Sequence, residues 1–228
     1  MTTRHLDEMA WPAIDRVAAT SILVVPLGST EQHGPHLPVS TDTDIAQALV
    51  SRLAAHRKDM VVAPAVPYGS SGEHADFAGT LSVGADVLER LVVELVRSAD
   101  AFAGVVLVSG HAGNLRPLAA AVATLRSEGR RVLGWLPRLD QGDAHAGRTE
   151  TSLMLALRAD AVATADAEVG NVRPIGELMP VLRRGGVGAV SPNGVLGDPS
   201  GANAGEGAAL LDVLVADLED AVRSWWCP

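Results

Sequence analysis

The chain reads as an α/β protein, a three-layer α/β/α sandwich around a mostly parallel sheet. Two observations predict it. Short apolar, β-branched runs alternate with segments of helical periodicity along most of the 228 residues. Two of those runs, Ile22-Leu23-Val24-Val25 and Val105-Val106-Leu107-Val108, have no polar alternation, as expected of strands covered on both faces.

The elements follow in order. Residues 21–27 form a first strand. Residues 43–56 carry Ile45, Ala48, Leu49, Leu53 and Ala54 at helical spacing. Residues 60–66 are a second strand, ended by Pro67 and Gly69. A helix over 85–101 places Val87, Leu88, Leu91, Val92, Leu95 and Val96 on one face, with Asp86 and Glu89 near the positive end of its dipole. Residues 104–108 are the third strand. The helix over 115–127 stops at Gly129, a C-cap residue. Residues 131–136 give a fourth strand, 149–158 a short helix and 161–165 a fifth strand. The Gly- and Pro-rich stretch 176–201 reads as a long loop with room for a small hairpin. An amphipathic helix over 204–226 closes the chain. No internal repeat or linker divides it, so one domain over 1–228 is expected.

Composition narrows the function. The net charge of −9, without a long basic run, argues against nucleic acid as partner. No apolar stretch reaches the roughly 18 residues of a membrane span. The single cysteine, Cys227, has no internal partner, and the first residues carry acids where a signal peptide is apolar. A cytoplasmic protein is expected. Aromatics are only 3% of residues, so the core must be built from Ala, Val and Leu.

The chemistry is concentrated after the strands. Ser29-Thr30-Glu31-Gln32-His33-Gly34-Pro35-His36-Leu37-Pro38, with Thr41-Asp42, follows the first. Gly110-His111-Ala112-Gly113-Asn114 follows the third. In an open parallel sheet, ligands bind at the carboxyl ends of the strands. Glu31 and His33, two apart in an extended segment, project to one side. Carboxylate and imidazole together suit Zn, Fe(II) or Mn. Asp42 has two oxygens with which to bridge two ions, although its place before a helix equally suits a cap. His111 returns to the same region from the third strand. Downstream, Glu150 reads either as a further ligand or as a first-turn helix carboxylate. His145, in a glycine-flanked loop, reads as an acid/base. His36, between two prolines, is a candidate substrate or supporting contact. So are Ser71, Glu73 and His74 in the loop after the second strand, and Asn114 and Asp198.

Together these segments resemble the creatininase family of metal-dependent amide hydrolases, in the right order over most of the chain. The resemblance implies two divalent ions per chain. One would be held by Glu31, Asp42 and His111, the other by His33, Asp42 and Glu150. The implied reaction is attack of a metal-bridging hydroxide on an amide carbonyl, with His145 assisting the leaving nitrogen. It also implies a homo-oligomer. Arg183-Arg184-Gly185-Gly186 and Gly194-Val195-Leu196-Gly197-Asp198-Pro199 resemble a peptidase branch. That branch cleaves a modified precursor peptide near its C-terminus and releases a cross-linked Val-Tyr-derived product. Creatinine-cleaving members carry a ligand glutamate where this chain has Gly113, which leaves Glu150 to supply the carboxylate. They also stack tryptophans on their flat substrate, and no aromatic lies between Pro137 and His145. The competing expectations are hydrolysis of a small cyclic amide or formamide, and a metal- or ligand-binding module without turnover.

Overall fold

Every residue of the two central strands is buried, so the sheet must be covered on both sides. The computed structural model describes residues 3–55, 57–138 and 142–226. Strands β1 (Ile22–Leu27), β2 (Met60–Val62), β3 (Gly104–Ser109) and β4 (Val132–Trp135) form one sheet in the order β2-β1-β3-β4. All pairings are parallel. Side chains alternate between the faces. Ile22, Val24, Val106 and Val108 pack with helices α2 (Thr41–Ala54), α5 (Arg148–Arg158) and α7 (Ala204–Trp225). Leu23, Val25, Val105 and Leu107 pack with α3 (Ala85–Ser98) and α4 (Leu115–Ser127) on the other face. This is the expected three-layer α/β/α sandwich.

The strand order has a functional consequence. The chain leaves β1 in one direction to make β2, then crosses over to place β3 on the other side of β1. The carboxyl ends of β1 and β3 therefore flank the point where the winding reverses. Loops diverge there and leave a crevice.

Several details differ from the sequence reading. An additional helix, α1 (Trp11–Ala18), starts with Pro12 in its first turn, where a missing N–H costs nothing. Strand β2 stops at Val62. Pro64 has no N–H to give the ladder, which resumes only at the isolated bridge of Val66 to Leu27. The expected fifth strand is absent: residues 159–161 and 164–166 are single 3-10 turns. The stretch read as a long loop opens with helix α6 (Ile175–Gly185), despite an internal Pro180. Leu178 and Leu182 bury one face of α6 against Val187 and Leu196, and that contact outweighs poor local propensity. Helix α2 ends at Ala54, and His56, once expected to end it, lies outside the described residues, as does Cys227. Gly129 does follow α4 with φ +81°, as its C-cap reading requires. Trp225 and Trp226 pack against the chain's own core, with the Arg131 guanidinium 4.2 Å from the Trp226 ring centroid. Among the described residues, no helix is long and apolar enough to cross a membrane.

Helix α7 reaches α5 through a glycine. A Cβ on Gly207 would lie 1.8 Å from the Ser152 carbonyl oxygen. Gly207→Ala must therefore push two packed helices apart, and we expect a loss of about 1–3 kcal/mol in urea denaturation. Gly176→Ala, in α6 with nothing within 4 Å of the added carbon, should be neutral or stabilising by up to about 1 kcal/mol.

Candidate metal centre

Two glycines at equivalent strand ends decide where the site forms. Leu27 pairs with Ser109, so Gly28 and Gly110 sit side by side just beyond the ladder. The first turn of α2 is wedged against both. A Cβ on Gly28 would lie 2.1 Å from Thr43 Oγ1, and one on Gly110 would lie 2.2 Å from the Asp42 carbonyl oxygen. Thr43 Oγ1 donates to the Ser29 carbonyl at 2.9 Å and locks the approach. Asp42 is thus delivered to the crevice between β1 and β3. Its carboxylate caps nothing. Oδ1 stands 3.2 Å from His33 Nε2, while Oδ2 stands 3.1 Å from His111 Nδ1 and accepts from Ser29 Oγ at 2.6 Å.

Around Asp42 the structure brings together Glu31, His33, His111, His145 and Glu150. Three groups have ligand-type atoms all within 4.8 Å of one another: Glu31, Asp42, His111; His33, Asp42, Glu150; and Glu31, His33, His145. His111 Nδ1 lies 3.3 Å from Glu31 Oε1, and His33 Nε2 lies 3.8 Å from Glu150 Oε2. Each imidazole spends its other nitrogen on a carbonyl. His33 Nδ1 donates to the Glu31 carbonyl at 3.0 Å, and His111 Nε2 to that of Ser70 at 3.0 Å. His145 Nε2 donates to the Gln32 carbonyl at 2.8 Å. The nitrogens left facing the centre are His33 Nε2, His111 Nδ1 and His145 Nδ1. This is the usual way a protein orients imidazole ligands.

The electrostatics fit a cation. Among the described residues, neither oxygen of the buried Glu31 carboxylate has a hydrogen-bond partner, a costly state unless a cation satisfies them. Burial pushes Glu31 and Glu150 up to about 7. Burial opposes charging of His33 and His111, yet the neighbouring carboxylates outweigh it and push both up to about 10. Burial likewise opposes ionisation of Asp42, but His33 and His111 hold its carboxyl well below the usual range. Burial, then His33, holds His145 well below the ordinary histidine value. The donor set of carboxylates and imidazoles suits Zn, Mn or Fe(II).

Of the remaining candidates, only Glu73 lines the cleft above this centre. That cleft encloses about 730 Å³, with Met179, Leu182, Arg183 and Arg184 along one wall, and among the described residues no Phe, Tyr or Trp is in its lining. Asn114 is spent elsewhere: Oδ1 accepts from Ser70 N–H at 2.9 Å, and Nδ2 donates to the Gly28 carbonyl at 3.0 Å. It staples the loops after β1 and β2 to the start of α4. His36 is buried and bonds Thr151 Oγ1 at 2.8 Å, pinning the first loop to α5. Ser71 Oγ is 3.3 Å from His111 Nε2, and His74 is buried beside Glu31. Asp198 is exposed, accepts from Ser200 N–H at 2.8 Å and lines an adjoining cleft of about 700 Å³. The two clefts meet at Ala144, Ile175 and Leu196. Trp135 faces α7 and donates to Asp217 Oδ2 at 2.7 Å.

Two features escaped the sequence reading. Ala146 adopts a left-handed φ of +51°, unusual for a residue with a side chain, and its N–H donates to Glu150 Oε2 at 2.6 Å. Asp143 accepts from Thr149 N–H at 2.9 Å and also from Arg148 N–H, capping the helix that carries Glu150. An aspartate a few residues before a helix was the available signal. Gly113 is also explained: a Cβ there would lie 2.3 Å from His111 Nε2 and 2.7 Å from Glu73 Oε1. The space beside His111 is taken by the Glu73 loop.

Residues 7–222 match the family model described as creatininase, creatinine amidohydrolase. The mycofactocin precursor peptide peptidase of Mycolicibacterium smegmatis is 49% identical over 211 residues, covering 90% of this chain and 85% of that protein. The creatinine amidohydrolase of Pseudomonas putida is 28% identical over 98% of this chain and 97% of its own. Among solved structures, a manganese creatininase superposes with a TM-score of 0.81 at 25% identity, and a zinc–zinc form of a glutamine-for-glutamate mutant with 0.80 at 25%. Both cover all of each chain.

Two outcomes follow. Asn114→Ala leaves the Ser70 N–H and the Gly28 carbonyl without their partner and should cost about 1–3 kcal/mol in thermal unfolding. The second concerns pH. In chelator-treated protein, raised values on Glu31 and Glu150 favour the folded state below about 4.5, a contribution lost as pH climbs through about 7. The contribution of His33 and His111 is present below about 6.5 and lost through about 10. A divalent ion displaces these protons, so its stabilisation should grow with pH. The rise in melting temperature on adding metal should be larger at pH 8 than at pH 6 by calorimetry; a flat or falling increment contradicts the assignment.

Proposed function

The chain belongs to the creatininase family of metal-dependent amide hydrolases, and from that we propose that it is a peptidase acting on a modified precursor peptide, as its 49% identical relative is named. The substrate would be the mycofactocin precursor, cleaved near its C-terminus to release the cross-linked Val-Tyr-derived product. The observation that carries the hydrolytic reading is the pair of buried donor triads sharing Asp42 beneath one cleft.

Glu31, Asp42 and His111 would hold one ion, and His33, Asp42 and Glu150 the other. Two divalent ions so held supply polarisation of a carbonyl and activation of water. The residues of the chain do the rest. Asp42, pinned by Ser29, keeps the two sets in register. His145 keeps Nδ1 as an acceptor, 3.8 Å from Glu31 Oε1 and 4.0 Å from Glu150 Oε2, and is placed to take the proton released by the attacking water and hand it to the departing amine. Met179 and Leu182 of α6 give one part of the cleft wall an apolar lining beside Arg183 and Arg184.

The peptide reading is favoured over creatinine by the cleft. Among the described residues it has no Phe, Tyr or Trp on which a flat ring would stack, and it joins a second cleft of similar size, giving length for an extended chain. Zn, Mn or Fe(II) would serve as the ion. We further propose one catalytic domain over the whole chain, working in the cytoplasm as a homo-oligomer.

His145→Ala should keep its metal and lose about 10²–10⁴-fold in kcat, with KM less affected. Asp42→Ala should lose activity and more than one equivalent of metal per chain. Metal analysis and single-turnover cleavage of a peptide ending in the modified pair check both. Two retained ions in Asp42→Ala, or loss of metal in His145→Ala, would show the roles to be misassigned.

A further inference from the structure

Gln32 lies inside the first motif between two proposed ligands, yet has no place in the mechanism. Its side chain is buried and its orientation is set by two backbone contacts, with Nε2 also 3.2 Å from His145 Nε2, whose proton goes to the Gln32 carbonyl. Gly34 N–H donates to Oε1 at 2.8 Å, and Nε2 donates to the Gly194 carbonyl at 3.2 Å. Exchanging the amide's ends would set donor against donor and acceptor against acceptor. The fit is close enough to demand a glycine opposite: Gly194 has φ +79°, and a Cβ on it would lie 2.0 Å from Gln32 Oε1.

With that orientation fixed, Nε2 also donates to His74 Nδ1 at 2.8 Å. His74 Nδ1 is therefore an acceptor, and the ring carries its proton on Nε2. That nitrogen faces Glu31 Oε1 at 3.5 Å, an electrostatic contact rather than a full hydrogen bond. The Gln32 carbonyl, meanwhile, accepts from His145 Nε2 at 2.8 Å. One residue thus sets both rings, one through its side chain and one through its backbone.

We propose that Gln32 is a positioning residue for the ion site at Glu31: its amide holds His74 in the Nε2–H tautomer, and that N–H steadies the Glu31 carboxylate in a ligating orientation. The proposal rests on reading Glu31 as a metal ligand.

The test is imidazole 15N NMR on chelated and zinc-loaded protein, joined to zinc affinity by competition with a chromophoric chelator. In the unaltered chain His74 should show the Nε2–H tautomer. In Gln32→Glu, of nearly the same shape, the carboxylate accepts from His74 and should move the proton to Nδ1. Zinc affinity should then fall about 10–100-fold, while His145 keeps its Nε2–H on the backbone carbonyl. His74→Phe, which removes the N–H without emptying the space, should lose affinity to a similar degree. An Nδ1–H or doubly protonated His74 in the unaltered chain overturns the proposal whether or not Gln32→Glu folds. So does unchanged affinity in His74→Phe. Glu31→Gln separates the two layers. If it weakens zinc binding and His74→Phe does not, only the positioning role fails. If Glu31→Gln binds zinc as tightly as before, the ligand reading fails and takes the proposal with it.

Discussion

The close approach of one helix end to two strand ends is the constraint on which the centre depends. Asp42 can reach the crevice only because residues 28 and 110 lack side chains, so the first turn of α2 sits directly on the ends of β1 and β3. Asp42 is then buried with one oxygen toward His33 and the other toward His111. Every other group in the centre is arranged around those two oxygens. A side chain at either glycine would move the helix and separate the two triads.

The buried charges explain why so much of the surrounding structure is devoted to orientation. Carboxylates this close cannot all be ionised without a counter-charge, and burial raises the cost. Either protons or cations must occupy the centre. Backbone carbonyls of Glu31, Ser70 and Gln32 take one nitrogen from each of His33, His111 and His145 and leave the other directed inward. Ser29, Ala146 and Asp143 hold the carboxylates or the helix that carries them. The ring and carboxylate positions are therefore set by backbone geometry at three loops, which in turn are tied together by Asn114. The neighbouring loop also fills the space beside Gly113, so a side chain at that place has no room here.

Much of this was legible in the sequence, for identifiable reasons. The runs at 22–25 and 105–108 are continuous and β-branched, and histidine and carboxylate residues follow them within a few positions, so both the strands and the clustering at their ends could be read. Helix α6 could not, because Gly176, Pro180 and Gly185 mask the spacing of Leu178, Met179 and Leu182; burial against Val187 and Leu196 forms it. The segment 161–165, Ala-Val-Ala-Thr-Ala, was expected as a short strand, but among the described residues no sheet edge receives it. Asn114, His36 and Asp198 sit beside the motifs in sequence, which made them candidates for substrate contact. The side chains of Asn114 and His36 are engaged with Gly28 and Ser70 and with Thr151, partners that only the folded chain reveals, whereas Asp198 bonds Ser200 two residues on and lines the adjoining cleft. Spacing reported which residues gather, and not which way each side chain turns.

The central claim is that one carboxylate joins two ion sites. Anomalous diffraction from crystals grown with excess zinc or manganese tests it most directly. The account predicts two peaks about 3.5–4 Å apart, one among Glu31, Asp42 and His111 and one among His33, Asp42 and Glu150. A single peak, or peaks that leave Asp42 outside the coordination of both ions, would contradict it.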